Sequence, residues 1–306
     1  MNKAPVLILA YNRADKVANL IDSLRPLRPS TVLVGVDGPR FNKPNDVEKV
    51  AEVHKVLESI NWTNDVQILG REKNLGLKRA VIDSVDWAID AYGKAIVIEE
   101  DVIVGSQFLD FMNAMLYSYK DDEQVAHISG YNIVPEKKLS TDKLRLTRYP
   151  ESIAWATWSR AWKNFDESLT WGTHCNLEDI RKIVGSNIGA LKWRMNFNDA
   201  QSDRISTWAY RWIASIWSKN QFVVSPNLNL VNYSGFDSGS HTITAAPWKE
   251  LTISNYKDFD FIDGSPLELD LRADGWLAKE VFGESVLGLA KNLTITAIRK
   301  FIPERH

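Results

Sequence analysis

The segment Ala95-Ile-Val-Ile-Glu-Glu-Asp101 decides the fold class of this chain. Its four apolar residues predict a short strand that is buried on both faces, as in the interior of a parallel sheet. Three carboxylates follow this strand directly. Open parallel sheets bind ligands beyond the carboxyl ends of their strands, so the acids stand where a ligand is expected.

Further apolar runs alternate with amphipathic helical patterns on the amino-terminal side of this segment. The predicted strands are 5–11, 31–36 and 66–69, and the predicted helices are 14–24, 47–57 and 75–91. Strands joined by helices form right-handed crossovers in a parallel sheet. The sequence therefore predicts an α/β fold with a mostly parallel, twisted sheet flanked by helices.

The composition excludes several classes of protein. The chain has 306 residues, of which 44% are hydrophobic and 25% charged, and its formal net charge is -2. Such a chain can bury a large core but lacks the basic surface of a nucleic-acid-binding protein. The single Cys175 rules out an internal disulfide framework and fits the cytoplasm. No apolar run is long enough to cross a membrane.

The acidic triplet predicts a divalent cation. Adjacent carboxylates repel one another and resist ionisation unless a cation or hydrogen-bond donors compensate them. Mg²⁺ and Mn²⁺ prefer oxygen ligands and often bridge protein carboxylates to phosphates. Strand alternation predicts that Glu99 and Asp101 point to one side and Glu100 to the other. The alternative is a strand end exposed to solvent.

Two further segments are candidates for binding. His241 lies in a loop rich in Gly and Ser, and imidazole together with a carboxylate suits Mn²⁺, although a lone His is more often a surface or structural residue. Asn74-Leu-Gly76 opens a helix that carries Lys78 and Arg79 in its first turn, which favours an anion site but also fits a simple helix start. Asp37-Gly38 can bind a ribose or a base, or only form a turn.

An ordered set of short motifs resembles the GT-A glycosyltransferases. These motifs are Ala10-Tyr-Asn-Arg13, Asn74-Leu-Gly-Leu77, Ile96-Val-Ile-Glu-Glu-Asp-Val102, Phe108-Leu-Asp-Phe-Met112, Ile128-Ser-Gly-Tyr131, Trp155-Ala-Thr-Trp158 and Gly235-Phe to His241-Thr242. The chain is most similar to bacterial family 2-type enzymes of surface-polysaccharide assembly, and more distantly to N-acetylglucosaminyltransferase I. The resemblance covers roughly residues 5 to 245.

The resemblance implies a role for each matching residue. Asp37 would contact uracil or ribose, Asp101 would be a metal ligand, and His241 would complete the coordination of Mn²⁺ or Mg²⁺. Lys78 or Arg79 would approach the pyrophosphate. The remaining residues that would border the nucleotide are Ala10, Tyr11, Asn12, Arg13, Asn74, Gly76, Glu99 and Glu100. Glu99 and Glu100 would contact ribose or metal-bound water, and Glu100 departs from the family's pattern because Asp is commoner at its position.

An inverting transferase needs a carboxylate that accepts the proton of the attacking hydroxyl group. Asp203 is the candidate base, since it precedes a predicted helix at about 205–219, near the position where the similar enzymes place an acid. Asp199 is the alternative, because Ser206-Thr207 occupies sites where those enzymes often have Asp. A helix cap explains either acid as well as catalysis does.

The chain has 12 Trp residues, most of them beyond residue 150. Trp208, Trp212 and Trp217 fall on neighbouring helix faces and are predicted to pack in the core. Trp155 and Trp158 match the acceptor and donor-sugar region of the similar enzymes, which implies that one of them stacks on a sugar.

The sequence thus predicts a metal-dependent, inverting hexosyl- or N-acetylhexosaminyltransferase. Its donor would be a nucleotide-sugar, most simply UDP-linked, and its acceptor a glycan or lipid-linked saccharide in polysaccharide biosynthesis. The predicted units are a nucleotide-sugar-binding half (1–130), an acceptor-binding half (131–283) and a basic amphipathic tail (284–306) that either contacts a membrane surface or docks on the protein. A sugar-nucleotide nucleotidyltransferase and a non-catalytic glycan-binding module are the alternatives.

Overall fold

The computed structural model describes residues 3–140, 143–235, 251–254 and 267–290. The predicted apolar runs form buried strands, and each amphipathic pattern forms a helix that covers them. The first half contains β1 (Val6–Ala10), α1 (Ala14–Leu24), β2 (Thr31–Val36), α2 (Asp46–Leu57), β3 (Asp65–Gly70), α3 (Leu77–Tyr92), β4 (Lys94–Glu99), β5 (Val102–Val104), α4 (Phe108–Ser118) and β6 (Val125–Ser129).

The second half has shorter helices between its strands. Its elements are β7 (Leu144–Thr147), β8 (Ala154–Trp158), α5 (Ser159–Trp162), α6 (Thr170–His174), α7 (Leu177–Val184), α8 (Asn187–Gln201), α9 (Ala209–Ser218), β9 (Phe222–Pro226), β10 (Val231–Tyr233) and α10 (Leu271–Trp276). The predicted helix at 205–219 corresponds to α9, which starts later, and α8 precedes it.

Within the described residues, eight strands form one sheet in the order β3-β2-β1-β4-β8-β6-β9-β7. β3, β2, β1 and β4 are parallel neighbours, as are β6 and β9. β8 runs antiparallel to both β4 and β6, and β7 antiparallel to β9. The predicted α/β class with a mostly parallel sheet is confirmed. The carboxyl ends of β1, β2, β3, β4, β6 and β9 therefore share one edge.

A short ribbon brings a distant part of the chain to that edge. β5, which follows the acidic triplet, pairs antiparallel with β10, and Tyr233 lies opposite Val102. The Ser234 N–H donates to the backbone carbonyl oxygen of Asp101 at 2.8 Å. The chain beyond β10 thus begins beside the acids, although 130 residues separate the two segments.

The tryptophan side chains of the second half form a core. Trp208, Trp212 and Trp217 are 3%, 1% and 2% exposed, which confirms their predicted packing role. Trp155 is fully buried, and its ring stacks on His127 at 5.1 Å and on Trp208 at 5.3 Å between ring centres.

The structure buries Trp155 and Trp158, the two residues that the sequence predicts as sugar contacts. Neighbouring rings enclose Trp155, so no face remains for a ligand. Trp158 is 5% exposed, donates its indole N–H to the Leu116 carbonyl oxygen, and carries the Arg160 guanidinium 4.2 Å from its ring centre. Both side chains are parts of the core that resemble a sugar platform only in sequence.

The predicted tail lies largely outside the described residues, which end at Ala290. Val286 and Leu287 are 67% and 83% exposed at its start. Across the described parts of the chain, no helix has both the length and the apolar character needed to span a bilayer.

Candidate functional site

A cleft lies at the carboxyl edge of the sheet, beyond β1, β2 and β4. Its volume is about 140 Å³. Apolar residues form one part of its wall and polar side chains the other; the lining residues are Leu9, Ala10, Tyr11, Arg13, Gly35, Asp37, Arg40, Asn74, Leu77, Ala80, Val81, Glu99 and Glu100. The structure therefore brings together most of the residues that the sequence assigns to nucleotide binding.

Arg13 joins two of the three acids. Its Nε donates to Glu100 Oε1 and its Nη2 to Asp101 Oδ2, each at 2.7 Å. The backbone N–H of Tyr11 donates to the other Glu100 oxygen at 2.7 Å. A guanidinium thus supplies part of the compensation that the crowded carboxylates require. The predicted alternation of these acids is wrong, because β4 ends at Glu99 and the chain turns at Glu100 and Asp101.

Glu99 differs from its two neighbours in having no hydrogen-bond donor for its carboxylate within the described residues. It is half-buried at the cleft wall. Removal from water, together with the negative charges of Asp101 and Glu100, raises the pKa of Glu99 to about 8. Burial also raises the pKa of Glu100, although Arg13 opposes that shift. The three acids therefore do not all ionise readily near neutral pH without further compensation.

Asp101 has one oxygen that the described residues leave without a hydrogen bond. The side chain is 3% exposed, and its Oδ1 is buried without a partner, whereas Oδ2 contacts Arg13. Gly235 lies against Oδ2 and the Tyr233 hydroxyl so closely that a Cβ would have no room. An unpartnered buried carboxylate oxygen is costly, and a cation contact would remove that cost.

Asp101 offers one oxygen as a metal ligand. A metal ion bound there would take its further ligands from other groups, such as a bound phosphate. Within the part of the chain that the structure describes, no group of three His, Cys, Asp or Glu side chains is arranged to hold a metal ion. His241, the predicted second ligand, lies outside the described residues.

Asp37 is buried and organises the loop that precedes α3. Its Oδ1 accepts the N–H groups of Gly38 and Leu75, and its Oδ2 accepts those of Gly76 and of the Asn74 side chain, at 2.8 to 3.1 Å. Two backbone donors of the predicted anion site at this helix start are thus bound to Asp37. The carboxylate shapes the cleft wall, and its contact with uracil or ribose stays a prediction.

A second network positions the end of β1, and the sequence interpretation missed its central residue. Asp46 is 1% exposed and accepts hydrogen bonds from the Tyr11 hydroxyl, from Asn12 Nδ2 and from the Arg40 N–H. Burial and the bond to Asp46 raise the pKa of Tyr11 far above its ordinary value. Arg40, also missed, donates from Nε to Asn74 Oδ1 at 3.2 Å. Arg40 precedes α2 and Asp46 begins it, and no sequence motif marks either residue.

The two candidate bases lie between α8 and α9 or at the end of α8. Asp203 Oδ1 is 2.5 Å from Lys78 Nζ and 3.3 Å from Arg211 Nη2, and its side chain is 58% exposed. The hydrogen bond from Lys78 lowers the pKa of Asp203. Asp199 is buried and pairs with Arg204 at 2.6 Å.

Through its contact with Asp203, Lys78 therefore connects the start of α3 to the second half of the chain. Arg79, the other predicted pyrophosphate contact, pairs with Asp83 at 2.6 Å and with Glu167 at 3.2 Å. Of the two cations, Lys78 has the less exposed side chain, at 20% against 50%. Contact of either with a phosphate stays a prediction.

Comparison with known proteins gives no match to any family model and none to the curated proteins searched. Among solved structures, the chain is similar to a UDP-glucose pyrophosphorylase in complex with UDP-glucose. The TM-score is 0.36 with 9% sequence identity, over 73% of this chain and 90% of the other. A similarity of this kind assigns no residue of the cleft.

Proposed function

We propose that this chain is a metal-dependent, inverting glycosyltransferase of the GT-A type that uses a UDP-linked sugar. The observation that carries the proposal is Asp101, a buried carboxylate with one oxygen lacking a hydrogen bond in the described residues, beside the cleft at the carboxyl edge of the sheet. A nucleotide-binding cleft and a metal-binding acid next to it are what transfer from a nucleoside diphosphate requires.

The cleft has the polarity that a nucleoside needs. Leu77, Ala80 and Val81 offer apolar contact to a planar base, whereas Arg40 and Asn74 lie on the polar side. Asp37 keeps this wall in place through its bonds to the loop before α3. The nucleoside occupies the cleft, and its diphosphate extends toward the acids.

Asp101 Oδ1 is the described oxygen that would hold Mn²⁺ or Mg²⁺, with His241 as a further proposed ligand. Arg13 fixes the carboxylate by holding Oδ2. The bound cation would stabilise the negative charge of the departing diphosphate. In this proposal, Lys78 supplies positive charge at the same edge, and Glu99 accepts hydrogen bonds from ribose hydroxyl groups. The acceptor is a glycan or lipid-linked saccharide, as in polysaccharide assembly in the cytoplasm.

Titration calorimetry with UDP, with and without Mn²⁺, tests this function. The wild-type chain should bind UDP only in the presence of the metal, and Asp101→Ala should abolish that binding without changing the circular dichroism spectrum. Asp121→Ala is the matched control, because Asp121 is a highly exposed acid that forms an ion pair with Lys120. Metal-dependent affinity that is unchanged in Asp101→Ala would refute the proposal.

One further assay separates the alternative enzyme class. A nucleotidyltransferase would form UTP from UDP-glucose and pyrophosphate, whereas a glycosyltransferase would release UDP from a sugar nucleotide. A glycan-binding module would do neither and would show no metal-dependent UDP affinity.

A further inference from the structure

The two acids that the sequence favours as proton acceptors are both engaged with cations. Asp203 contacts Lys78 and Arg211, and Asp199 contacts Arg204. The hydrogen bond from Lys78 lowers the pKa of Asp203 and makes it a weaker base, and the Asp199 carboxylate is occupied by its ion pair. A catalytic base works best when its protonation equilibrium lies near the working pH. A carboxylate at the same edge of the sheet without a cation bound to it is the better candidate.

Glu151 lies at this edge on the connection that leads into β8. Its backbone N–H donates to Ser129 Oγ at 3.3 Å, at the carboxyl end of β6. Two residues later, the Ile153 carbonyl oxygen accepts the Glu99 N–H at 2.9 Å. The backbone of Glu151 is therefore fixed between the ends of β4 and β6, close to the acidic triplet.

A buried histidine holds this position. His127 Nε2 contacts the Glu151 carbonyl oxygen at 3.1 Å, and its Nδ1 contacts the indole N–H of Trp212 at 3.1 Å. Burial lowers the pKa of His127 to about 3, so its ring stays neutral at physiological pH. With Nδ1 accepting from Trp212, the ring donates from Nε2 to Glu151. The stacked Trp155 ring fixes the imidazole in turn.

The side chain of Glu151 has the surroundings of a base. It is half-buried, and within the described residues no hydrogen-bond donor contacts its carboxylate. Arg145 and Tyr131 lie within electrostatic range of the Glu151 carboxylate, and the neutral His127 contacts its backbone carbonyl oxygen. Burial raises the pKa of Glu151 to about 7, and the charge of Arg145 limits that shift.

Two tyrosines connect Glu151 to the proposed metal ligand. Tyr131 is buried and lies within electrostatic range of both Glu151 and Tyr233. The Tyr233 hydroxyl and Asp101 Oδ2 both lie against Gly235. Tyr131 and Tyr233 therefore lie in the region between Glu151 and the proposed metal ligand Asp101.

We propose that Glu151 is the general base of the transferase, an assignment that rests on the function proposed above. The Glu151 carboxylate accepts the proton of the acceptor hydroxyl group, and the oxygen forms a bond to the anomeric carbon. The bond from that carbon to the β-phosphate oxygen breaks, and its electron pair leaves with UDP. The products are the glycoside, UDP and protonated Glu151, which returns its proton to water.

The test compares Glu151→Gln with the wild-type chain in three measurements. UDP affinity in Mn²⁺ should stay within about twofold, because the cleft residues lie across β4 from Glu151. Release of UDP from a panel of UDP-sugars, with water as acceptor, should lose about 100-fold in kcat with little change in KM. The pH profile of kcat/KM should lose its rise through about pH 7, and Glu151→Asp should restore part of the activity.

Thermal unfolding supplies a measurement that does not depend on turnover. The folded pKa of Glu151 lies above the ordinary value of 4.5, so its contribution to stability is complete below about pH 4.5 and is lost as the pH rises through about 7. The decrease in Tm between pH 5 and pH 8 should therefore be smaller in Glu151→Gln than in the wild-type chain.

The outcomes separate this proposal from the function on which it rests. Wild-type UDP release that persists in Glu151→Gln but falls in Asp203→Asn or Asp199→Asn would overturn the assignment and leave the transferase intact. Absence of UDP release from every donor in the wild-type chain would contradict both. Loss of UDP binding in Glu151→Gln would show a structural role and also overturn the assignment.

Discussion

The two halves of the molecule differ in the role of their most distinctive side chains, which are acids in the first half and tryptophans in the second. The donor side is the part of the edge beyond β1, β2 and β4 that carries the cleft. Its polar side chains form hydrogen-bonded networks, yet Asp101 Oδ1 and the Glu99 carboxylate have no hydrogen-bond donor in the described residues. In the second half, the tryptophans pack against one another, and those of α9 are almost completely buried. An unsatisfied acid therefore indicates a site here, whereas an accumulation of aromatic residues indicates packing.

The contrast has an energetic basis. An indole buried against other rings contributes through the area removed from water and through ring geometry, and it gains little from a ligand. A carboxylate withdrawn from water without a partner destabilises the protein until something binds it. The first arrangement stabilises the fold, and the second favours binding.

The largest effect is expected for Trp155→Ala. Trp155 is fully buried between His127 and Trp208, so its truncation should lower the free energy of unfolding by about 3 to 5 kcal/mol. Trp155→Phe is the matched control and should cost less than about 1.5 kcal/mol, because it keeps a ring and removes an indole N–H that has no partner in the described structure. Urea denaturation measures both.

The same variants can break the comparison between the two halves. If Trp155→Ala unfolds like the wild-type chain but uses its sugar donor or acceptor poorly, Trp155 contributes to the binding surface. The second half would then have a site in addition to its core.

The sequence predicts the donor side well, because its signals are local. Apolar runs and the polar residues directly after them place Tyr11, Asp37 and the acids at one edge whatever the detailed packing. What local pattern cannot predict is which polar groups bind each other. Asp37 bonds to the loop 74–76, and Asp46 to the end of β1, through contacts that span about 35 residues of chain.

The second half is harder to predict, because its site depends on contacts between distant segments. The pairing of β5 with β10 brings Gly235 to Asp101, and no motif in either segment indicates that pairing. Glu151 resembles any acid in a polar connection until the positions of Ser129 and His127 are known. The Trp155 motif is ambiguous, because aromatic residues that fit a sugar site also fit a core.

A smaller effect is expected for Asp37→Ala, which tests whether the donor-side networks are structural. Removal of the carboxylate leaves its donors, among them the N–H groups of Leu75 and Gly76, without this acceptor. The free energy of unfolding should fall by about 2 to 3 kcal/mol, and UDP affinity should fall with it as the loop before α3 loses its shape.

Asp65→Ala is the control for Asp37→Ala, since Asp65 also accepts two hydrogen bonds but lies at the start of β3, away from the cleft. It should leave UDP affinity unchanged and cost at most about 1 kcal/mol. If Asp37→Ala loses UDP affinity with unchanged urea and thermal stability, Asp37 contacts the nucleotide and is not the organiser of the loop.

The smallest effect concerns where the second half ends. Glu284 Oε1 accepts hydrogen bonds from the Tyr149 hydroxyl and from the Trp193 indole N–H, both at 2.7 Å. A chain that stops after Gly283 loses this acceptor, so its free energy of unfolding should fall by about 1 to 3 kcal/mol and its Tm by a few degrees. A chain that stops after Ala290 keeps Glu284 and should unfold like the full-length protein. Equal Tm values for the two truncated chains would show that Glu284 does not anchor the tail, and the core would then end before residue 284.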